Sequence, residues 1–191
     1  DTYRRADGSV DLVLGDVVGH GITSTHAAAQ LRAAARAVFT GREQSPCEII
    51  NRISDSCADL PGCLCAAILV AHFSADGSSV VWARAGAMPP ILTGENARIL
   101  EEGGSPPLGV GRCQGDEMTE IDLFDGDGLL GSQQALAQFV MGRGFDGKRN
   151  RSRKASGSRV TGFRLLLVQS KKILALESCF PKRHNLVVQR V

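Results

Sequence analysis

The chain has 191 residues, of which 43% are hydrophobic and 22% charged, with a formal net charge of +2. That is enough chain for one domain with a real core, and no apolar run approaches the roughly 18–20 residues that span a bilayer. No basic start followed by an apolar stretch marks a secretory leader, and the first residue is Asp1, so the chain reads as a fragment or a trimmed form. The charge is unevenly divided. Residues 1–142 carry 9 Lys+Arg against 18 Asp+Glu, a net of −9, and residues 143–191 carry 13 against 2, a net of +11. Every lysine lies from Lys148 onward. Two such compositions point to two segments of different history.

Val10 to Asp16 is apolar and β-branched behind the turn pair Asp7-Gly8, which predicts a buried strand. Gly15 to Gly21 is a glycine-rich turn. Thr23 or Ser24 is placed to cap a helix running to about Phe39, with Ala27, Leu31, Ala34, Ala35 and Val38 as its apolar stripe and Arg32 and Arg36 on the other side. The alanines make that stripe flat, which suits close packing on a sheet. Ser45-Pro46-Cys47-Glu48 is a capping box with proline at the first helical position. The helix behind it turns Ile49, Ile50 and Ile53 inward and ends near Asp59.

Leu64 to Phe73 is a nearly continuous apolar run, expected of a strand covered on both faces. Ala75-Asp76-Gly77 turns it into a second strand, Val80 to Ala85. Pro89-Pro90 breaks the chain before Ile91-Leu92. Ala97 to Leu100 and Glu120 to Phe124 read as further strands, with Gly103 to Pro107 as a loop between them. Beyond Leu130 the pattern weakens. Ala135 to Met141 is compatible with a turn or two of helix, and Gly142 to Gly162 has the composition of a disordered segment. Phe163 to Val168 and Ile173 to Leu176 are apolar without a clear place in a sheet. The order strand, helix, helix, then several strands predicts an α+β fold with a mainly antiparallel sheet.

The cysteines at 47, 57, 63, 65, 113 and 179 match neither a zinc pattern nor a CxxC redox motif. They read as small buried thiols in a reducing cytosol, the alternative being a disulfide between Cys47 or Cys57 and the Cys63/Cys65 pair.

The stretch that carries chemistry is Gly15-Asp16-Val17-Val18-Gly19-His20-Gly21. A carboxylate ends a buried strand, a glycine-rich turn follows, and a helix starts. The glycines permit positive φ and let main-chain groups approach a ligand closely. An aspartate with a backbone carbonyl is hard-oxygen ligation suited to Mg²⁺ or Mn²⁺. The same pattern also fits a plain strand-to-helix turn in which Asp16 caps the helix.

GDVVGHG resembles the GDVSGHG motif of SpoIIE-like phosphatases, the bacterial branch of the PPM (type 2C) family. Further segments resemble the family in the same order: the lead-in ADGSVDLVLGD, the strand Cys65 to Phe73 with its Ala75-Asp76-Gly77 turn, Arg84 to Leu92 (RAGAMPPIL), Pro106 to Val110 (PPLGV) and Phe124 to Leu130 (FDGDGLL). The resemblance covers residues 1–130, read as a partial phosphatase domain, and leaves 131–191 as a basic, low-order tail that is frame-shifted or rearranged. It implies a layered β-sandwich flanked by helices, truncated here.

By that resemblance the function is metal-dependent hydrolysis of phosphoserine or phosphothreonine. Two Mn²⁺ or Mg²⁺ ions would lower the pKa of a bridging water, which attacks phosphorus in line. Asp16 takes the place of the catalytic, bridging metal ligand and the Val17 carbonyl that of a main-chain ligand. His20 matches the motif histidine and otherwise reads as a packed or loop-bonding residue that orders the turn. The implied setting is cytoplasmic bacterial signalling, with a phosphorylated anti-anti-sigma-type regulator as substrate.

The sequence also departs from the family. The first metal aspartate of the family lies ahead of Asp1. Gly131-Ser132-Gln133-Gln134-Ala135 stands where a YTDG aspartate is expected, the last metal aspartate has no counterpart, and Ala85-Gly86-Ala87 replaces AGH. Asp125 and Asp127 read as turn residues and not as substitutes. The alternative function is therefore an inactive phosphatase-like, partner-binding module. No membrane partner is expected. Read as a nucleic-acid-binding arm, the basic tail, with thirteen cations and no interleaved aromatics, would give salt-sensitive, sequence-independent binding, and a non-functional basic tail is the favoured reading over such an arm. Losing the family's last strands would expose sheet edges, which favours self-association by aggregation or dimerisation.

Overall fold

A computed structural model describes residues 1–39, 44–60, 62–94, 97–115, 118–124 and 127–131, and the backbone of residues 164–169 and 172–177. In chain order the elements are β1 (Thr2–Arg4), β2 (Val10–Asp16), α1 (Ile22–Phe39), α2 (Pro46–Cys57), β3 (Ala67–Phe73), β4 (Ser79–Ala85), β5 (Ile91–Thr93), β6 (Arg98–Ile99), β7 (Gly104–Ser105), β8 (Thr119–Asp122), β9 (Gly128–Leu130), β10 (Arg164–Gln169) and β11 (Lys172–Glu177). They fall into two units, Asp1–Pro89 with Glu101–Asp122, and Pro90–Leu100 with Leu123–Val191. The α+β class expected from the sequence is the one observed.

The first unit is built on a sheet ordered β1-β2-β3-β4, antiparallel throughout, with β7 parallel to β4 and β8 antiparallel to it. The β2–β3 register runs from Val10 opposite Phe73 to Asp16 opposite Ala67. Val13, Ile68, Val70, Ala83 and Ala85 share a core with Ala27, Leu31, Ala35 and Val38 of α1 and Ile49, Ile50 and Ile53 of α2. Burying each isoleucine contributes about 1.5–3 kcal/mol. The alanine-rich stripe lets α1 lie low on the strand: a Cβ on Gly15 would meet Leu31 Cδ2 at 3.0 Å.

The capping box of α2 is formed as expected. Glu48 N donates to Ser45 Oγ (3.2 Å) and Ser45 N to Glu48 Oε2 (2.9 Å). The start of α1 differs from expectation. The helix begins at Ile22, so Thr23 and Ser24 sit inside its first turn, and the hydroxyls of Ser24 and Thr25 donate back to the Gly21 carbonyl at 2.9 and 3.0 Å. The strand predicted from Leu64 begins only at Ala67, because Cys65 adopts φ 62° and ends a turn there. The loop predicted at 103–107 contains β7.

The expectation of reduced cysteines fails for one pair. Cys47 and Cys113 form a disulfide across a Cα–Cα distance of 5.4 Å. The segment 107–115 runs back along α2, which brings these sequence-distant residues together. Gly109 N donates to Ser54 Oγ (3.0 Å), Asn51 bonds both the N–H and the carbonyl of Cys113 (3.0 Å each), and Arg112 grips Asp55 at 2.7 and 3.1 Å. Cys57 and Cys63 are free and buried, and Cys65 is free and exposed. Burial, with Cys63 alongside, pushes the Cys57 thiol up to about 12.

A buried acid also lies under these helices. Asp11 is fully buried and accepts from Arg5 Nε (2.6 Å) and Arg5 Nη2 (3.1 Å), with His72 Nδ1 at 2.8 Å. Arg5 also donates to the Gln44 carbonyl (2.9 Å), and Gln44 bridges the Val38 carbonyl (3.2 Å) to Arg52 (2.7 Å). One buried carboxylate thus ties the β1–β2 hairpin to the end of α1 and the start of α2.

The second unit holds a sheet ordered β11-β10-β9-β5-β6. β5 pairs antiparallel with β6 and β9, while β10 pairs parallel with β9 and forms a hairpin with β11. The apolar segments near 163–168 and 173–176, which had no expected place, supply those last two strands. The readings for Ala135–Met141 and Gly142–Gly162 lie outside the described residues.

Candidate active site at the end of the first sheet

Asp16 is the last residue of β2 and stands opposite Ala67 of β3. Its side chain is exposed and makes no hydrogen bond or ion pair among the described residues. Six preceding residues in register with β3 hold it in place. Val17 follows half-buried, packed against the core, so the turn is anchored immediately after the carboxylate. Gly19 and Gly21 have φ of 105° and 81°, and a Cβ at either would meet nothing within 4 Å. Conformation, not crowding, demands glycine there. Asp16 lies six residues ahead of Ile22 and does not cap α1.

Other sequence-singled segments gather at this same end. Gly86 (φ 63°) sits on Pro107, whose Cγ lies 2.7 Å from where a Cβ would be. Gly86 N donates to the Ser105 carbonyl (2.9 Å), Leu108 N to the Ala66 carbonyl (3.1 Å), and Cys65 N to the Leu108 carbonyl (2.8 Å). The ends of β2, β3 and β4 and the Pro106–Val110 segment therefore form one edge. Arg84 staples it by donating to the carbonyls of Ala87 (2.9 Å), Glu101 (2.5 Å) and Glu102 (3.3 Å). Burial lowers the pKa of this guanidinium, partly offset by Glu101 and Glu102. Its role was missed from sequence, where Arg84 is one residue in an apolar strand.

The remaining candidates are placed elsewhere. His20 is exposed and makes no hydrogen bond among the described residues, so it neither packs nor bonds the loop. The turn is ordered by Val17 and the two glycines. The Asp1 carboxylate pairs with Arg32 at 3.0 Å. In the second unit Asp127 is buried and closes a turn: Phe124 N donates to its Oδ2 (2.9 Å), and its own N–H donates to the Phe124 carbonyl (3.0 Å). Asp125 lies outside the described residues.

A small divalent cation such as Mg²⁺ takes about six oxygen ligands, and paired ions need several shared carboxylates. Among the described residues no group of three or more His, Cys, Asp or Glu side chains is placed to hold a metal ion. Asp16 and the Val17 carbonyl offer at most part of one ligand set. The described residues do not fit a two-ion centre.

A family model described as Stage II sporulation protein E (SpoIIE) matches residues 6–132, about two-thirds of the chain. The chain belongs to the SpoIIE family. Its fold is that of the PP2C-type phosphatase domain. The RsbU and RsbW domains of a Mycobacterium tuberculosis protein match with a TM-score of 0.56 at 30% identity, over 63% of this chain and 34% of that one. The SiaA-PP2C domain of Pseudomonas aeruginosa matches with a TM-score of 0.54 at 18% identity, over 66% of this chain and 50% of that one. The PP2C phosphatase domain of SpoIIE from Bacillus subtilis, solved with a fragment of its regulatory domain, gives 0.52 at 15%, over 66% and 38%. This SpoIIE-family chain thus spans about a third to a half of these three solved chains. Among its described residues no helix is long and apolar enough to cross a membrane.

Proposed function

We propose that this chain is the Asp16-bearing part of a SpoIIE-type protein serine/threonine phosphatase, residues 1–130, followed by a basic tail. The phosphatase acts in cytoplasmic bacterial signalling on a phosphorylated anti-anti-sigma-type regulator. The observation that carries the reading is the placement of Asp16: an exposed carboxylate fixed at the end of a seven-residue strand, directly before a core-anchored, glycine-shaped turn. The match to a chain solved as RsbU and RsbW domains supports the signalling setting. Asp16 and the Val17 carbonyl are the ligands this chain offers to Mn²⁺ or Mg²⁺, and the rest of such a centre would lie outside the described residues.

A second reading, an inactive phosphatase-like module that binds partners, is favoured by the lack of a three-ligand cluster among the described residues. Hydrolysis of p-nitrophenyl phosphate and of a phosphoserine peptide, with Mn²⁺ titrated, separates the two. Mn²⁺-dependent turnover that disappears in Asp16→Asn supports the phosphatase. Turnover that survives this substitution refutes the role of Asp16. A folded protein that turns over neither substrate with any ion supports the partner-binding module.

A further inference from the structure

Residues 107–115 form a strap whose two ends lie on different parts of the first unit. The leading end makes one wall of the edge near Asp16. Pro107 lies against Gly86, and Leu64 fills the place where Gly109 (φ 76°) would carry a side chain. Leu108 N donates to the Ala66 carbonyl (3.1 Å), and the Leu108 carbonyl accepts from Cys65 N (2.8 Å). The trailing end is Cys113, joined to Cys47 in the first turn of α2. The disulfide is the one covalent tie on this strap among the described residues, and it sits a few residues from the wall of the candidate site.

The reduced pair has a place ready. The Gln114 carbonyl oxygen lies 2.9 Å from Cys47 Sγ and 3.7 Å from Cys113 Sγ. A disulfide sulfur has no proton to give that oxygen, and a thiol has one. Cys113 is also held by Asn51 through its N–H and carbonyl, bonds that do not involve sulfur. Opening the bond therefore needs no repacking of the strap. Cys113 is followed by Gln114 and Gly115, both exposed. Cys47 is the second residue of α2, where the helix N-terminus favours negative charge on a departing sulfur. In a reducing cytosol such disulfides are usually transient, serving catalysis or redox sensing.

We propose that Cys47–Cys113 is a reversible redox latch: closed as a disulfide it pins the strap that walls the Asp16 edge, and opened by a glutathione-type thiol it loosens that wall. A small thiolate attacks Cys113 Sγ and the Sγ–Sγ bond breaks. Cys47 leaves as a thiolate, takes a proton from water and donates to the Gln114 carbonyl. A second small thiolate releases Cys113 from the mixed disulfide, so two small thiols become one small disulfide as the protein gains two thiols. Cys57 and Cys63 stand apart from this exchange: both are buried, and burial pushes the Cys57 thiol up to about 12. The reductant rests on the proposed cytoplasmic setting. No readout below uses phosphatase turnover, so this proposal and that reading fail separately.

The test equilibrates the full chain in glutathione buffers of rising reduced-to-oxidised ratio. Alkylation and mass analysis read the bond, and NMR amide hydrogen exchange reads the strap. The bond is expected to form in oxidised glutathione, to open in millimolar reduced glutathione without denaturant, and to close when the ratio is reversed. On opening, the Leu108 and Cys65 amides should exchange about tenfold faster, and the Val70 amide in the β2–β3 ladder should change less. A bond that never forms, or that resists reduced glutathione in the folded protein, overturns the proposal. So does an unchanged Leu108 amide, or equal acceleration at Leu108 and Val70, which would be global loosening. In Cys47→Ser/Cys113→Ser, glutathione should leave Leu108 exchange unaltered. A response there would place the effect on exposed Cys65 and overturn the assignment.

Discussion

Reducing the Cys47–Cys113 disulfide is expected to lower stability without dismantling the segment it ties. The bridge joins residues 66 apart in sequence. Loop-closure entropy for a loop of that length gives about 4 kcal/mol at 25 °C, acting mainly by restricting the unfolded chain. In the folded state the 107–115 segment keeps its bonds to Ser54 and Asn51. The Arg112–Asp55 pair remains too, though both side chains are more than half exposed and the pair contributes little. For a protein of this size 1 kcal/mol corresponds to roughly 2–4 °C in Tm, so reduction should lower Tm by about 10 °C. Thermal unfolding followed by circular dichroism, with and without dithiothreitol, measures this, with Cys47→Ala/Cys113→Ala as control. Alkylation mass analysis should show two more reactive thiols after reduction. An unchanged wild-type Tm, or an equal drop in the double variant, would refute the reasoning.

Asp11→Ala removes the fully buried carboxylate from Arg5, whose side chain is 18% exposed, and from His72, and should cost about 3 kcal/mol in urea denaturation; a midpoint within error of wild type would contradict the network. Gly86→Ala meets Pro107 at 2.7 Å in a positive-φ position, and should destabilise by at least about 1–2 kcal/mol, whereas Gly115→Ala, with nothing nearby, should be close to neutral. The Asp76 carboxylate is held below its ordinary 3.8 by the Ser78 hydroxyl first, then the Ser78 backbone and the Ser74 hydroxyl. Its contribution to the 74–79 turn is therefore complete above that value and lost as pH falls through the lower, folded pKa. An NMR titration placing the Asp76 midpoint at or above 3.8 would sink this reading.

Much of this was legible because local chemistry is short-ranged. The capping box at Ser45–Glu48 and the α1 stripe at Ala27, Leu31, Ala35 and Val38 appear where periodicity puts them. The GDVVGHG turn was legible because only glycine tolerates the backbone at Gly19 and Gly21. What failed depended on distant partners. Asp11 looks like an interruption in an apolar strand until Arg5 and His72 are brought to it. Cys113 pairs with Cys47 only because segment 107–115 folds back along α2. The segment now seen as β10 had no expected place because its partner β9 is more than 30 residues earlier and the pairing is parallel. The α1 start moved because the Ser24 and Thr25 hydroxyls bond backward to Gly21, where a cap would bond forward.

The most direct test of the central claim is Mn²⁺-dependent hydrolysis of p-nitrophenyl phosphate by the wild-type chain and by Asp16→Asn, with Tm measured on both. Because Asp16 is exposed, the substitution should leave Tm unchanged while abolishing Mn²⁺-dependent turnover. Equal turnover by the two proteins would show that the carboxylate at the end of β2 is not a metal ligand of this phosphatase fold.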